Sequence, residues 1–236
     1  MTDRKNAAAL TPAEQQRYVS GITALNGGPA PTAYGRLVAD HALMSHNMHG
    51  MTAVGRQRFL SWHRDFLLQL ERALQALDPL AFVPYWRWST YRRIPAWIAQ
   101  LLPTVHIPPV GGQGPQTVNV TRSTHHVQGL PTASQIASLD ANTAMPYTQF
   151  TTLLEGYHNV VHGWVGGTMN NIMISPADPI FWLHHAEVDR IWSVWQANPA
   201  NAGKAPTLTG SAKVMDPWPE SAAQLASIQA LGYSYS

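Results

Sequence analysis

Apolar residues recur at helical spacing along most of the chain. Over 58–77, Phe59, Trp62, Phe66, Leu70 and Leu74 fall on or near one face. The stripe predicts a long amphipathic helix, stopped at Asp78-Pro79. A second stripe of Phe181, Val188 and Trp192 predicts a helix over 179–197, with Asp178 as N-cap and Pro179 at its first position. Helices are also predicted over 12–20, 31–47, 133–139 and 147–163. Thr11 before Pro12, with Glu14 at the third helical position, reads as a capping box. Residues 103–131 are rich in proline and glycine and hold one short strand candidate, 117–121; a loop of that length in a compact domain is usually functional or partly ordered. The chain reads as loop again over 198–220. With no internal repeat and no linker, the expectation is a single domain over 1–236, mainly α with long irregular loops and little β.

Composition narrows the chemistry. Of 236 residues, 45% are hydrophobic and only 12% charged, about half the usual charged share of roughly 25%. A net charge of +2 without a polybasic block gives nucleic-acid binding little support. The absence of cysteine excludes disulfides, thiolate metal sites and cysteine catalysis. No apolar run approaches the length of a membrane span, and the N-terminal residues lack the apolar core of a secretory signal. The expected location is therefore the cytoplasm, unless a partner carries the protein out.

Histidine is the informative residue. His158 and His162 are four apart on a predicted helix, so both imidazoles project from one face, about one turn apart. His185 shares the stripe of Phe181, Val188 and Trp192, and His63 that of Phe59, Phe66 and Leu70. A lone core histidine is more often a hydrogen-bonded structural residue. Several imidazoles buried against aromatic stripes, however, each need a partner, and a metal pair supplies one to all. All-nitrogen ligation suits Cu, Zn, Ni or Fe, with copper the tightest divalent binder. The motif HNVVH at 158–162 lacks the glutamate of HExxH zinc peptidases. Glu155-x-x-His158 matches half of a di-iron carboxylate motif, but no second copy follows.

These segments resemble the type-3 copper proteins, specifically the bacterial tyrosinases. FLSWHRDFLLQLE at 59–71 resembles the first-copper motif of the family. HNVVHGWVGG from 158 and SPADPIFWLHHAEVDRIW from 175 resemble the second, and LGYSY at 231–235 resembles the end of the bacterial catalytic domain. The resemblance implies a four-helix bundle holding a dicopper centre. His158, His162 and His185 would hold one ion, with His184 a neighbour. His63 and His41 would hold the other. The middle ligand departs from the pattern: where the family has a histidine nine residues before the one in WHR, this chain has Val54. His49 is preferred over His46, which would still lie on the helix of His41. Two further departures are Arg87, in PYWRW where the family has PYWDW, and the missing thioether cysteine of plant and fungal members.

The resemblance also implies two copper ions as cofactor, O2 as co-substrate and a phenol as substrate. Hydroxylation of a monophenol requires removal of a proton of pKa about 10, and the resemblance assigns Glu155 and Asn159 to hold the water that takes it. Gly163, Asn171, Ile172 and Met173 would line the entrance, and a small copper-delivering partner would assist as in some relatives. The alternatives are an o-diphenol or o-aminophenol oxidase without hydroxylase activity, or an oxygen carrier like haemocyanin.

Overall fold

The computed structural model describes residues 1–123 and 129–236; part of the long loop expected over 103–131 lies outside the described residues. In chain order the elements are β1 (Thr2–Arg4), α1 (Pro12–Asn26), α2 (Ala33–Ala42), α3 (Ala53–Leu77), α4 (Ala96–Ala99), β2 (Thr104–Ile107), β3 (Gln116–Asn119), α5 (Ala133–Ala141), α6 (Tyr147–Val165), α7 (Ile180–Ala197) and β4 (Tyr233–Tyr235). The architecture is mainly helical. α3 packs on α6 and α7, and α2 closes the bundle through α1, β2 and the Ser175–Ala177 turn. No helix among the described residues is long and apolar enough to cross a membrane.

Local chemistry sets the helix boundaries. The Thr11–Glu14 capping box is present, but α1 runs on to Asn26 because Ile22 and Leu25 extend its buried face. The helix expected over 31–47 is divided. α2 ends at Ala42, and a 3₁₀ turn over Met44–His46 ends at Asn47, which has a left-handed φ of 52°. α3 starts five residues before its expected boundary, because the Thr52 hydroxyl accepts the Gly55 N–H at 2.9 Å. α7 starts at Ile180, one residue late. Asp178 still serves that terminus, accepting the Ile180 N–H at 3.0 Å.

The expected strand near 117–121 is β3. It pairs antiparallel with β2, a strand not expected, with Val105 opposite Val118 and both buried. β1 and β4, also unexpected, pair in parallel and bring Arg4 beside Tyr235. Aromatic residues fill the interior: Phe59, Trp62 and Phe66 of α3, Phe150 of α6, and Phe181, Trp182, Trp192 and Trp195 of α7 are all buried. A charged cluster crosses it. Asp189 of α7 accepts from Arg64 Nε of α3 at 2.6 Å and from the hydroxyls of Tyr233 and Tyr235 at 2.7 and 2.5 Å. Arg4 makes a two-pronged contact with Glu71 at 2.9 and 3.0 Å. Arg64 and Glu71, seven residues apart on one helix, thus serve separate partners and tie α3 to α7 and to β1.

Candidate metal centre

Six histidines from five segments meet inside the bundle. His41 comes from α2, His63 from α3 and His49 from the loop between them. Their ring centroids form a near-even triangle: 5.2 Å for His41–His49, 5.6 Å for His41–His63 and 5.2 Å for His49–His63. The second group is built on helices alone. His158 and His162 of α6 lie 4.3 Å apart, and His185 of α7 lies 4.7 Å from His158 and 5.7 Å from His162. His63 stacks on His185 at 4.4 Å and 19°, so the groups share a wall. Phe59 and Phe181 flank them, Phe59 5.0 Å from His158 and Phe181 5.2 Å from His41.

The departure at Val54 has a geometric account. Position 54 lies in the first turn of α3; nine residues are two and a half turns, so it faces away from His63, and Val54 is partly exposed. His49 instead reaches inward from the loop. His46 is not on α2, contrary to the expectation. It sits on the separate 3₁₀ turn, donates from Nδ1 to Asp216 Oδ2 at 2.7 Å, and stacks on Trp62 at 6.1 Å.

Two glycines permit this loop. A Cβ on Gly55 would lie 2.0 Å from the His49 carbonyl, and one on Gly50 would lie 2.3 Å from Glu155 Oε2. Neither position tolerates a side chain without moving the loop or the carboxylate.

Electrostatics favour metal ligation. Burial holds His41, His63, His158 and His185 well below the ordinary histidine range, and the neighbouring imidazoles push the same way. His49 and His162 are lowered to about 4, burial again leading. The rings are therefore neutral, the form that binds metals. Oxygen acceptors fix several tautomers. Nδ1 of His63 donates to the Phe59 carbonyl at 2.8 Å, that of His162 to the Met169 carbonyl at 2.6 Å and that of His158 to Asn159 Oδ1 at 3.1 Å. Each of these leaves Nε2 as a bare lone pair facing inward. Nε2 of His41, His49 and His63 is buried with no hydrogen-bond partner among the described residues, and Nε2 of His158 stands 3.0 Å from Nε2 of His185. Inward-facing lone pairs left unpaired in a dry interior are costly, and two metal ions relieve that cost, so the donor set fits a metal pair.

Glu155 is buried beside His49, its Oε1 3.8 Å from His49 Nδ1 and accepting the Gly50 N–H at 2.7 Å. Burial raises its carboxyl above the ordinary range, against the lowering effect of Gly50 and Arg56. A cavity of about 240 Å³ opens onto His41, His49, His158 and His162, walled by Asn159, Met169, Asn170, Ile172 and Ser175. Of the expected entrance residues, only Ile172 belongs to this wall. Asn171 turns its side chain back to accept the Met173 N–H at 3.0 Å. Gly163 is exposed, and a Cβ there would meet open space.

His184, expected as a neighbour of the second group, is fully buried and stacks on His158 at 4.9 Å with its ring nearly parallel. Other features of the site have no signal in the sequence. The Met169 carbonyl could not be anticipated, since a backbone acceptor leaves no side-chain signal. Phe59 and Phe181 were visible as core residues, but nothing in their spacing marked them as walls of a metal site. Arg87 is exposed; burial raises the Glu187 carboxyl, and Arg87, after Arg190, opposes that rise, but nothing else in the structure explains the exchange at that position.

The chain resembles known proteins in both sequence and fold. A family model described as the common central domain of tyrosinase matches residues 31–123 and 110–198. The tyrosinase of Streptomyces galbus is 36% identical over 92% of this chain and 90% of its own length. A functional unit of octopus hemocyanin superposes with a TM-score of 0.71 at 25% identity, covering all of this chain and 68% of that one. A polyphenol oxidase of Thermothelomyces thermophila gives a TM-score of 0.74 at 20% identity, over all of this chain and 89% of the other, and speaks to fold alone.

Proposed function

Because the chain belongs to the tyrosinase family, whose cofactor is a pair of copper ions, we propose that it hydroxylates monophenols to o-diphenols and oxidises o-diphenols to o-quinones with O2. The observation that carries this reading is the meeting of two three-histidine groups at the His63–His185 stack, with an acidic residue, Glu155, beside one of them. His41, His49 and His63 would hold one ion and His158, His162 and His185 the other. The ions would bind dioxygen and take the electrons of the substrate, since imidazole nitrogen suits copper.

The protein's own residues do the remaining work. The oxygen atoms that accept the Nδ1 protons keep the rings from turning. Phe59 and Phe181 exclude water behind them. The cavity admits a phenol ring past Ile172, toward His158 and His162. A free phenol holds its proton to pH about 10, so the hydroxylation needs a base. Glu155, held by the Gly50 N–H, and Asn159, in the cavity wall, orient the water that takes the proton. A small partner protein that delivers copper belongs to the same reading, and full loading of the isolated chain by a copper salt would make it unnecessary.

One assay tests the proposal. Copper-loaded protein is offered a monophenol and an o-diphenol under air. Quinone colour from both supports the reading. Colour from the diphenol alone leaves an oxidase, and reversible oxygen binding without colour leaves a carrier.

A further inference from the structure

The first histidine group depends on a loop with little regular structure. His41 and His63 stand on helices, while His49 stands between a 3₁₀ turn and the start of α3. Nothing hydrogen-bonds its Nε2 among the described residues, and its Nδ1 is 3.8 Å from the nearest carboxylate. The loop is therefore held by its neighbours. On the C-terminal side the Gly50 N–H is fixed to Glu155 at 2.7 Å. On the N-terminal side, three residues before His49, His46 is fixed to Asp216 at 2.7 Å.

Asp216 joins two parts of this wall, the 3₁₀ turn and α3, through three residues. One carboxylate oxygen takes His46 and the other pairs with Arg58 of α3. Its backbone carbonyl accepts Trp62 Nε1 at 2.8 Å. Trp62 is the ring against which the group is built, 5.8 Å from His41, 5.1 Å from His63 and 6.1 Å from His46. Two residues on, Trp218 packs on the same ring at 5.1 Å.

We propose that Asp216 is a positioning residue for the first copper: by holding His46, Arg58 and Trp62 together it fixes the loop that presents His49. The inference rests on the assignment of His41, His49 and His63 as ligands. The Asp216 side chain is 46% exposed, and ion pairs so open to solvent contribute little to stability. Its effect therefore falls on ligand geometry, where loss of an orienting partner typically weakens a metal site 10- to 100-fold.

The test is copper retention. Copper-loaded wild type, Asp216→Ala and His46→Phe are exposed to rising concentrations of a copper chelator, and copper per chain is measured together with the melting temperature. His46→Phe keeps the stack on Trp62 and the Arg58–Asp216 pair while removing only the tether, so it stands if Asp216→Ala folds poorly. We expect both variants to surrender one copper at a chelator concentration at least about tenfold lower, and the other copper at the wild-type concentration. A His162→Asn background, which cripples the second group, identifies the copper involved: adding His46→Phe should shift release of the ion that remains. Unchanged release, or equal loss of both coppers in step with a lower melting temperature, overturns the proposal. A wild type that never holds two coppers overturns the ligand assignment itself.

Discussion

His63 and His185 lie face to face, centroids 4.4 Å apart and planes 19° from parallel, bridging α3 and α7. Each belongs to a different histidine group, so the two metal positions adjoin through ring contact. Removing one ring of a group should cost one ion while sparing the other. We expect His49→Ala and His63→Ala to bind one copper per chain where wild type binds two, measured by elemental analysis after loading. Two coppers retained in His49→Ala would return the middle position to another residue.

Glu155 offers a sharper test of chemistry. Glu155→Gln keeps an acceptor for the Gly50 N–H but loses the charge that draws a proton. General bases contribute about 10²–10⁴ in rate. Monophenol hydroxylation should fall about a hundredfold, and o-diphenol oxidation less than about fivefold, in steady-state assays of both substrates at equal copper content. Equal losses would remove its special role.

Access to the cavity should respond to Ile172 and not to Gly163. Ile172 is 40% exposed and stands in the cavity wall. Ile172→Ala should lower KM severalfold for a bulky o-diphenol and leave catechol nearly unchanged. Gly163→Ala, on an open helix face, should keep KM for both and raise stability by about 0.5–1 kcal/mol through helix propensity. A large KM change in Gly163→Ala would place the entrance elsewhere.

The charged cluster around Asp189 sets an acid limit. Burial alone would raise this carboxyl, but Arg64 and Arg4, with the Tyr235 hydroxyl, hold it below the ordinary value. A depressed folded pKa contributes stability above the unfolded value of about 3.9 and loses it as pH falls through the lower folded one. Asp189→Asn leaves two buried guanidiniums short of a partner and should cost about 3–5 kcal/mol at pH 7. The gap should narrow below pH of about 4, as Asp189 of the unfolded wild-type chain takes up a proton that the folded form still refuses. Denaturant unfolding at pH 7 and pH 3 measures both, and a gap independent of pH would argue against the mechanism.

Much of this molecule is legible in its sequence. The helices α3 and α7 follow from long apolar stripes, and the motifs on α3, α6 and α7 single out His63, His158, His162 and His185. Harder to read was the stretch from Leu43 to Thr52. Its path depends on a left-handed Asn47, on Thr52 capping the next helix, and on Gly55 admitting the His49 carbonyl. Periodicity encodes none of these. Strands β1 and β4 are three residues each, too short for alternation to register. The Arg64–Asp189 pair joins residues 125 positions apart and had no local trace.

The contrast between the two groups has a practical meaning. Two packed helices dictate where the rings of one lie, so change there means rebuilding the bundle. The other hangs partly on ten residues of irregular backbone, pinned at either side of His49. Those ten residues form a replaceable cassette: an engineer, or natural variation, can exchange them to retune one ion while the rest of the scaffold stays as it is.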